Sequence, residues 1–162
     1  MTDFERLLRV LDAGGVAFVV VGGLAANAHG AIRTTRDLDV VYARTGDNLR
    51  RLAMALEPLH PYLRGAPPGL PFRLDEPTLR AGLNFTLTTS AGDLDLLGDV
   101  AGGGAYEALL PHSRQLELLG ARCWCVDLET LIHLKRAAGR PKDFEALAEL
   151  MALREERDRP ER

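Results

Sequence analysis

The hydrophobic positions near the start of the chain change from a helical period to a strand period. Apolar residues that recur every three or four positions predict a first helix from Thr2 to about Ala13, in which Thr2 and Glu5 are spaced as a capping box. The continuous apolar run at 17–21 predicts a buried strand. That run stops at the pair Gly22-Gly23, which predicts a tight turn directly after the strand.

The rest of the chain continues to alternate between helical and strand patterns, which predicts an α/β (α+β) fold that ends in helices. Asp127 is the predicted N-cap of one of these helices, and Gly139 is its predicted end. The predicted helices lie at 24–29, 47–56, near 106–110, at 128–138 and from 141 to about 153. The predicted strands lie at 37–42, 84–89, 93–97, 115–119 and 121–126, the second and third forming a hairpin.

Two carboxylates occupy the strand predicted at 37–42. Asp37 and Asp39 point to the same face, about 7 Å apart at roughly 3.4 Å per residue. Such hard oxygen ligands suit a divalent cation better than they suit a core. A third carboxylate must come from a neighbouring strand, and Asp93 and Asp95 both face one side of theirs, so spacing alone does not choose between them. Asp95 is preferred as the ligand because it lies in mid-strand, whereas Asp93 adjoins the turn and is expected to be a nearby surface acid.

A phosphate-binding turn is predicted beside these acids. Gly22 and Gly23 have no Cβ atoms, so their backbone can approach phosphate oxygens, and the next helix offers free N–H groups. Arg33 and Arg36 directly precede the acidic strand. Their guanidinium groups can neutralise the charge of a triphosphate.

A second basic group, Lys135, Arg140 and Lys142, lies near the C-terminus. Lys135 and Arg140 are the candidates for further phosphate contacts. Cations near the end of a helix also interact favourably with the helix macrodipole, so a purely structural role stays open for both residues.

Composition restricts the classes of partner. The 162 residues carry a net charge of -3 with a pI near 5.8, which argues against a nucleic-acid coat or a polybasic membrane binder but allows a local basic patch. No apolar stretch approaches the roughly 20 residues that span a bilayer. The polar, acidic N-terminus is unlike a signal peptide, so we expect a cytoplasmic location. Cys123 and Cys125 lack further cysteines or clustered histidines for a zinc site and are interpreted as core residues.

The segment 58–77 differs in composition from the rest of the chain, with six prolines and two glycines in twenty residues. We interpret it as an ordered loop over the candidate site rather than as a domain boundary, because its composition disfavours regular elements but its apolar residues can anchor it. Residues 1–153 are therefore predicted to form a single domain. The highly charged tail at 154–162 is expected to fray.

These motifs resemble the nucleotidyltransferase superfamily that includes DNA polymerase β. The resemblance is carried by Gly22-Gly23, a spacer of thirteen residues at 24–36, the Asp37-x-Asp39 pair and a later lone aspartate. The runs at 33–39 and 135–143 resemble the abortive-infection AbiEii/AbiGii toxin branch, in which the lysine and arginine contact nucleotide phosphates. The chain departs from the superfamily at Gly23, where serine is common, and it is shorter than many toxins of that branch, which carry a helical domain for the acceptor.

The resemblance implies a minimal nucleotidyltransferase core, with a mixed β-sheet flanked by helices, that uses Mg²⁺ or Mn²⁺ to move a nucleoside monophosphate from an NTP such as ATP to a hydroxyl. The acceptor would be an RNA or tRNA end, a protein or a small molecule such as an aminoglycoside, and a cognate antitoxin is a candidate partner. The implied metal ligands and catalytic residues are Asp37, Asp39 and Asp95, and the implied nucleotide-binding residues are Gly22, Gly23, Arg33, Arg36, Lys135 and Arg140. Two alternatives stay open, a non-catalytic nucleotide-binding or interaction module and a two-metal hydrolase.

Overall fold

A seven-stranded mixed sheet forms the centre of the computed structural model, which describes residues 1–161. The strands are β1 (Phe18–Val21), β2 (Asp37–Tyr42), β3 (Tyr62–Leu63), β4 (Phe85–Thr89), β5 (Gly92–Leu97), β6 (Ser113–Leu118) and β7 (Ala121–Val126). Their order across the sheet is β3-β4-β5-β2-β1-β7-β6. This architecture confirms the predicted fold class.

Helices pack in two groups that flank the sheet. They are α1 (Phe4–Ala13), α2 (Gly22–Ala28), α3 (Gly46–Leu56), α4 (Glu76–Ala81), α5 (Tyr106–Leu109), α6 (Leu128–Ala138) and α7 (Phe144–Arg157). One group brings α1, α3 and α4 together, and the other brings α2, α6 and α7 together. Within residues 1–161, every helix falls short of the length and apolar character that a bilayer crossing requires.

The central strands have the most buried sequence. All four residues of β1 are buried because β1 lies between β2 and β7, with helices packed against it. β1 runs antiparallel to β2, whereas β2 runs parallel to β5. The β2–β5 register pairs Asp37 with Asp93 and Asp39 with Asp95, which places four carboxylates on one face of two adjacent strands.

Buried polar groups and helix caps hold this sheet in place. Asn48 of α3 is buried, and its amide accepts a hydrogen bond from Ala17 N at 2.7 Å and donates to Ala43 O at 2.7 Å, which joins the ends of β1 and β2. Two predicted caps are confirmed. The Asp127 side chain accepts from Thr130 N at 2.7 Å, and Gly139 ends α6 with φ of 63°.

The predicted capping box at Thr2 is wrong. The N-cap of α1 is Asp3, whose carboxylate accepts from Arg6 N at 3.0 Å. The Thr2 hydroxyl instead accepts from Asp93 N at 3.1 Å and donates to the Arg36 carbonyl, so it ties the chain to the starts of β5 and β2. The Thr2 side chain therefore makes tertiary hydrogen bonds instead of the helix cap that its local spacing predicted.

Three element boundaries also differ from the prediction. α2 begins at Gly22 itself rather than after the glycine pair. The proline-rich segment contains the short strand β3 and the start of α4, where Pro77 is tolerated because first-turn N–H groups have no partner within the helix. α7 continues into the charged tail as far as Arg157, since Arg154 and Arg157 form ion pairs with Glu129 of α6.

The two cysteines are reduced and buried in the core, as predicted. Burial raises the pKa of the Cys123 thiol to about 11 and that of Cys125 to about 12. Both thiols are therefore protonated and poorly nucleophilic at neutral pH, which agrees with a packing role.

Candidate active site

Three carboxylates converge where β2 and β5 run side by side. One oxygen from each of Asp37, Asp39 and Asp95 lies within 4.8 Å of the other two. The parallel register is the cause, because it sets Asp95 directly beside Asp39. Asp93 belongs to the same face but not to this cluster of three, so the geometry groups Asp95 with the Asp37/Asp39 pair.

The electrostatics of this cluster favour a bound cation. Burial and the negative charges of Asp37 and Asp95 together raise the pKa of Asp39 to about 8, against the opposing effect of Lys135. Burial and Asp95 also raise the pKa of Asp37, while Arg64 acts to lower it. A rigid set of three oxygen donors that repel one another fits a hard divalent ion such as Mg²⁺ or Mn²⁺.

The glycine pair lies directly against the acidic strand. Gly22 has φ of 68°, and a Cβ atom there would lie 2.8 Å from Asp39 Cγ and would overlap the Asp39 carboxylate oxygen. A Cβ atom at Gly23 would lie 2.6 Å from Thr35 Cβ. The close approach of the glycine backbone to the Asp39 and Thr35 side chains therefore requires glycine at both positions.

We expect the Gly22→Ala substitution to destabilise the protein by about 2 kcal/mol or more, because alanine is strained at this φ and its methyl group displaces Asp39. Gly65→Ala is the matched control, since Gly65 also has positive φ (80°) but has no atom within 4 Å of the added Cβ. Urea denaturation measures both variants. Equal destabilisation of the two would show that contact with Asp39 does not restrict position 22.

A cavity of about 290 Å³ opens beside Asp39 and Gly22 and reaches α6. Its charged lining consists of two carboxylates, Asp39 and Asp99, and two cations, Lys135 and Arg140. The apolar side chains that line it are Val21, Leu97, Val100, Leu131 and Leu134. A concave site with an apolar wall and a few convergent charges is typical of small-molecule binding.

Lys135 and Arg140 share one buried partner that the sequence analysis did not select. Lys135 Nζ lies 3.2 Å from Asp143 Oδ1, and Arg140 Nε lies 2.7 Å from Asp143 Oδ2. Burial acts to raise the pKa of Asp143, but the hydrogen bonds from Arg140 and Lys135 keep it below its usual range. The only sequence signal was the proximity of Asp143 to two cations, which a first-turn acid explains equally well.

Among residues 1–161, neither of the other two predicted cations forms an ion pair with the carboxylate cluster. Arg33 Nη2 lies 3.0 Å from Glu145 Oε2 of α7, and its side chain borders a smaller cavity that also contacts Gly23 and Lys135. Arg36 is exposed and, among residues 1–161, forms no ion pair. Their predicted contacts with a triphosphate stay a prediction.

Arg64 is a residue of the site that sequence reasoning missed. It follows β3 in the proline-rich segment, and its guanidinium lies 2.9 Å from Asp95, 3.5 Å from Asp93 and 3.6 Å from Asp37. No sequence signal pointed to it, because β3 has only two residues and shows no periodicity. One side chain of the proline-rich segment, that of Arg64, therefore contacts the acidic face.

The seven-stranded mixed sheet flanked by helices matches a nucleotidyltransferase-like fold. Two solved structures share it. One is a candidate nucleotidyltransferase from Thermotoga maritima, with TM-score 0.58, 15% identity, and coverage of 94% of this chain and 96% of that chain. The other is ANT(2″)-Ia in complex with adenylyl-2″-tobramycin, with TM-score 0.58, 15% identity, and coverage of 91% and 85%.

No protein-family model and no curated protein matches this chain. At 15% identity the likeness establishes the fold, and any function has to be argued from the site itself.

Proposed function

We propose that this protein is a Mg²⁺-dependent nucleotidyltransferase that moves a nucleoside monophosphate from an NTP to a hydroxyl acceptor and releases pyrophosphate. The observation that carries the proposal is the cluster of Asp37, Asp39 and Asp95, whose oxygens lie within 4.8 Å of one another beside Gly22. The shared fold supports it independently.

The carboxylates would perform the chemistry. Asp37, Asp39 and Asp95 would hold Mg²⁺ or Mn²⁺, which when bound polarises the reacting phosphate and acidifies the acceptor hydroxyl. Asp95, on the β5 side of the cluster, would orient that hydroxyl and accept its proton. The acceptor oxygen forms a bond to the α-phosphorus while the bond from that phosphorus to the oxygen of pyrophosphate breaks.

The donor nucleotide would occupy the cavity on the other side of Asp39. Gly22 and Gly23 would let the phosphates approach the backbone, and Lys135 and Arg140 would stabilise negative charge on the leaving pyrophosphate. Asp143 would keep both cations in position. Arg33 and Arg36 would act at the rim of the site.

Lys135→Gln should lower kcat/KM for the NTP by about 10- to 100-fold, because one phosphate-facing charge is lost. Arg136→Gln is the control, since it removes the same charge from the same helix at an exposed position that contacts Met151. Steady-state kinetics with varied NTP separate the two variants. Equal kinetic effects would argue against a phosphate contact by Lys135.

The acceptor is proposed at the level of its class. The resemblance of residues 33–39 and 135–143 to the AbiEii/AbiGii toxins supports an RNA or protein acceptor and a cognate antitoxin. The adenylyl-2″-tobramycin in the ANT(2″)-Ia structure supports a small-molecule hydroxyl. The net charge of -3 favours a compact acceptor over a long nucleic-acid footprint.

Incubation with each α-³²P-labelled NTP, Mg²⁺ and either total RNA, a protein lysate or a panel of aminoglycosides tests the proposal. Label should appear on one acceptor class together with pyrophosphate, and Asp39→Asn should abolish the transfer. NTP binding without transfer to any acceptor would instead favour a non-catalytic nucleotide-binding module. Release of nucleoside monophosphate from a nucleic acid, with no pyrophosphate, would favour a two-metal hydrolase.

A further inference from the structure

The Arg64 side chain occupies the acidic face of β2 and β5. Besides its contacts with Asp37, Asp93 and Asp95, its Nη2 donates a hydrogen bond to the Leu87 carbonyl at 2.7 Å. One guanidinium thus offsets part of the negative charge of a group of closely spaced carboxylates. Without a cation there, their mutual repulsion would oppose folding.

The backbone of Arg64 is fixed by the sheet, whereas 27% of its side chain is exposed to solvent. Arg64 N donates to Thr86 O at 3.0 Å, and the preceding Leu63 pairs with Leu87 in the sheet. The guanidinium is partly exposed, and its buried Nε has no hydrogen-bond partner among residues 1–161. A partly exposed side chain on a fixed backbone can leave the cluster by a change of rotamer, without any movement of the sheet.

From this arrangement, and building on the proposed function, we infer that Arg64 is a resident counter-ion that a divalent metal ion must displace from Asp37 and Asp95. Arg64 Nη2 holds Asp95 Oδ1 at 2.9 Å, and a metal ion needs oxygens of the same carboxylates at about 2.0–2.1 Å. The two cations repel each other when they share a carboxylate. Arg64 thereby keeps the metal-free protein folded and weakens metal binding.

Asp93 is the partner that Arg64 retains after displacement. Its carboxylate lies 3.5 Å from Arg64 Nε and is outside the cluster of three, so it stays free to pair when Asp37 and Asp95 bind the ion. Substitution of Arg64 and substitution of Asp93 should therefore change the affinity for the metal ion in opposite directions. Loss of Arg64 strengthens metal binding, and loss of Asp93 weakens it because Arg64 then pairs only with the metal ligands.

The effect of Arg64 on metal binding is tested by titrating the protein with Mn²⁺ in the absence of nucleotide. The electron paramagnetic resonance signal of the free ion reports how much Mn²⁺ is unbound. Arg64→Gln should bind Mn²⁺ about tenfold more tightly than the wild type. In EDTA the same variant should melt at a lower temperature than the wild type, and Mn²⁺ should raise its midpoint by a larger amount. Arg50→Gln, which removes the same charge from a surface pair with Asp47, should change neither quantity.

A double-mutant cycle tests the second effect. Asp93→Asn should weaken Mn²⁺ binding in the wild type but have a much smaller effect in the Arg64→Gln background. An equal effect of Asp93→Asn in both backgrounds would overturn the pairing with Arg64. Asp93 would then act on the metal only through its own charge, independently of Arg64.

The controls separate failure of this inference from failure of the proposed function. Wild-type Mn²⁺ binding that depends on Asp39 but is unchanged in Arg64→Gln overturns the inference alone. Absence of Mn²⁺ binding in both wild type and Arg64→Gln overturns the metal site as well. Arg64→Lys, which keeps the charge but cannot reach three carboxylates at once, should give an intermediate affinity and serves if Arg64→Gln does not fold.

Discussion

Asp39→Asn is expected to reduce nucleotidyl transfer by about 10³-fold, because it removes a negative ligand from the centre of the carboxylate cluster. The same substitution is expected to stabilise the metal-free protein at pH 8, by about 2 kcal/mol. The physical reason is that burial and two neighbouring carboxylates raise the pKa of Asp39 to about 8. Opposite effects on activity and stability are typical of a site that is optimised for its ligand.

The pH dependence of stability follows from the sign of this shift. Between its unfolded pKa near 3.8 and its folded pKa of about 8, Asp39 binds more proton in the folded than in the unfolded protein. The free energy of unfolding should therefore fall as the pH rises from 4 to 8, and Asp39→Asn should make the profile flatter. Urea denaturation in EDTA at pH 5 and pH 8 measures this.

Asp47→Asn is the control for this series, because Asp47 lies in an exposed pair with Arg50. It should leave the pH profile and the activity unchanged. A wild-type protein whose stability is the same at pH 5 and pH 8, or a less stable Asp39→Asn protein at pH 8, would contradict the electrostatic description of the cluster.

Asp143→Ala is expected to destabilise the protein by about 2–3 kcal/mol at pH 7, the second large effect. Asp143 is the common partner of Lys135 and Arg140, and only 6% of its side chain is exposed. The substitution leaves the Lys135 ammonium group without its anion, although the Lys135 side chain is only 20% exposed. The Lys135 and Arg140 side chains are then no longer held in position at the cavity. Transfer activity should fall as well, mainly through a higher KM for the NTP.

Glu145→Ala is the matched control for Asp143, because Glu145 also pairs with an arginine but its side chain is 84% exposed. It should change stability by less than about 0.5 kcal/mol. Chemical denaturation and NTP kinetics on the two variants test the pair. Asp143→Ala with wild-type stability and wild-type KM would show that Asp143 does not position Lys135 and Arg140.

The parts of the site that could be predicted from the sequence are those whose positions follow from short-range periodicity. Asp37 and Asp39 share a face because a strand alternates its side chains, and the glycine pair marks the end of a buried run. The hairpin that contains Asp95 was also found from local pattern. The position of Asp95 beside Asp39 could not be found from local pattern, because strand neighbours and register are set by tertiary packing.

The residues that were missed act through tertiary contacts that leave no local pattern. Arg64 reaches the cluster from a two-residue strand within a proline-rich segment, and the pairing of that strand depends on β4. Asp143 looks like an ordinary first-turn acid until the fold brings Lys135 and Arg140 to it. Thr2 was assigned to a helix cap for the same reason, since its partners lie far away in sequence.

A crystal of the protein soaked with Mn²⁺ and a non-hydrolysable NTP, with anomalous scattering recorded for manganese, tests the central claim most directly. We predict an anomalous peak about 2.1–2.2 Å from carboxylate oxygens of Asp37, Asp39 and Asp95, with the triphosphate in the cavity beside Gly22 and Lys135. A fully occupied triphosphate elsewhere, or manganese bound away from these three carboxylates, would contradict the assignment of this site to nucleotidyl transfer.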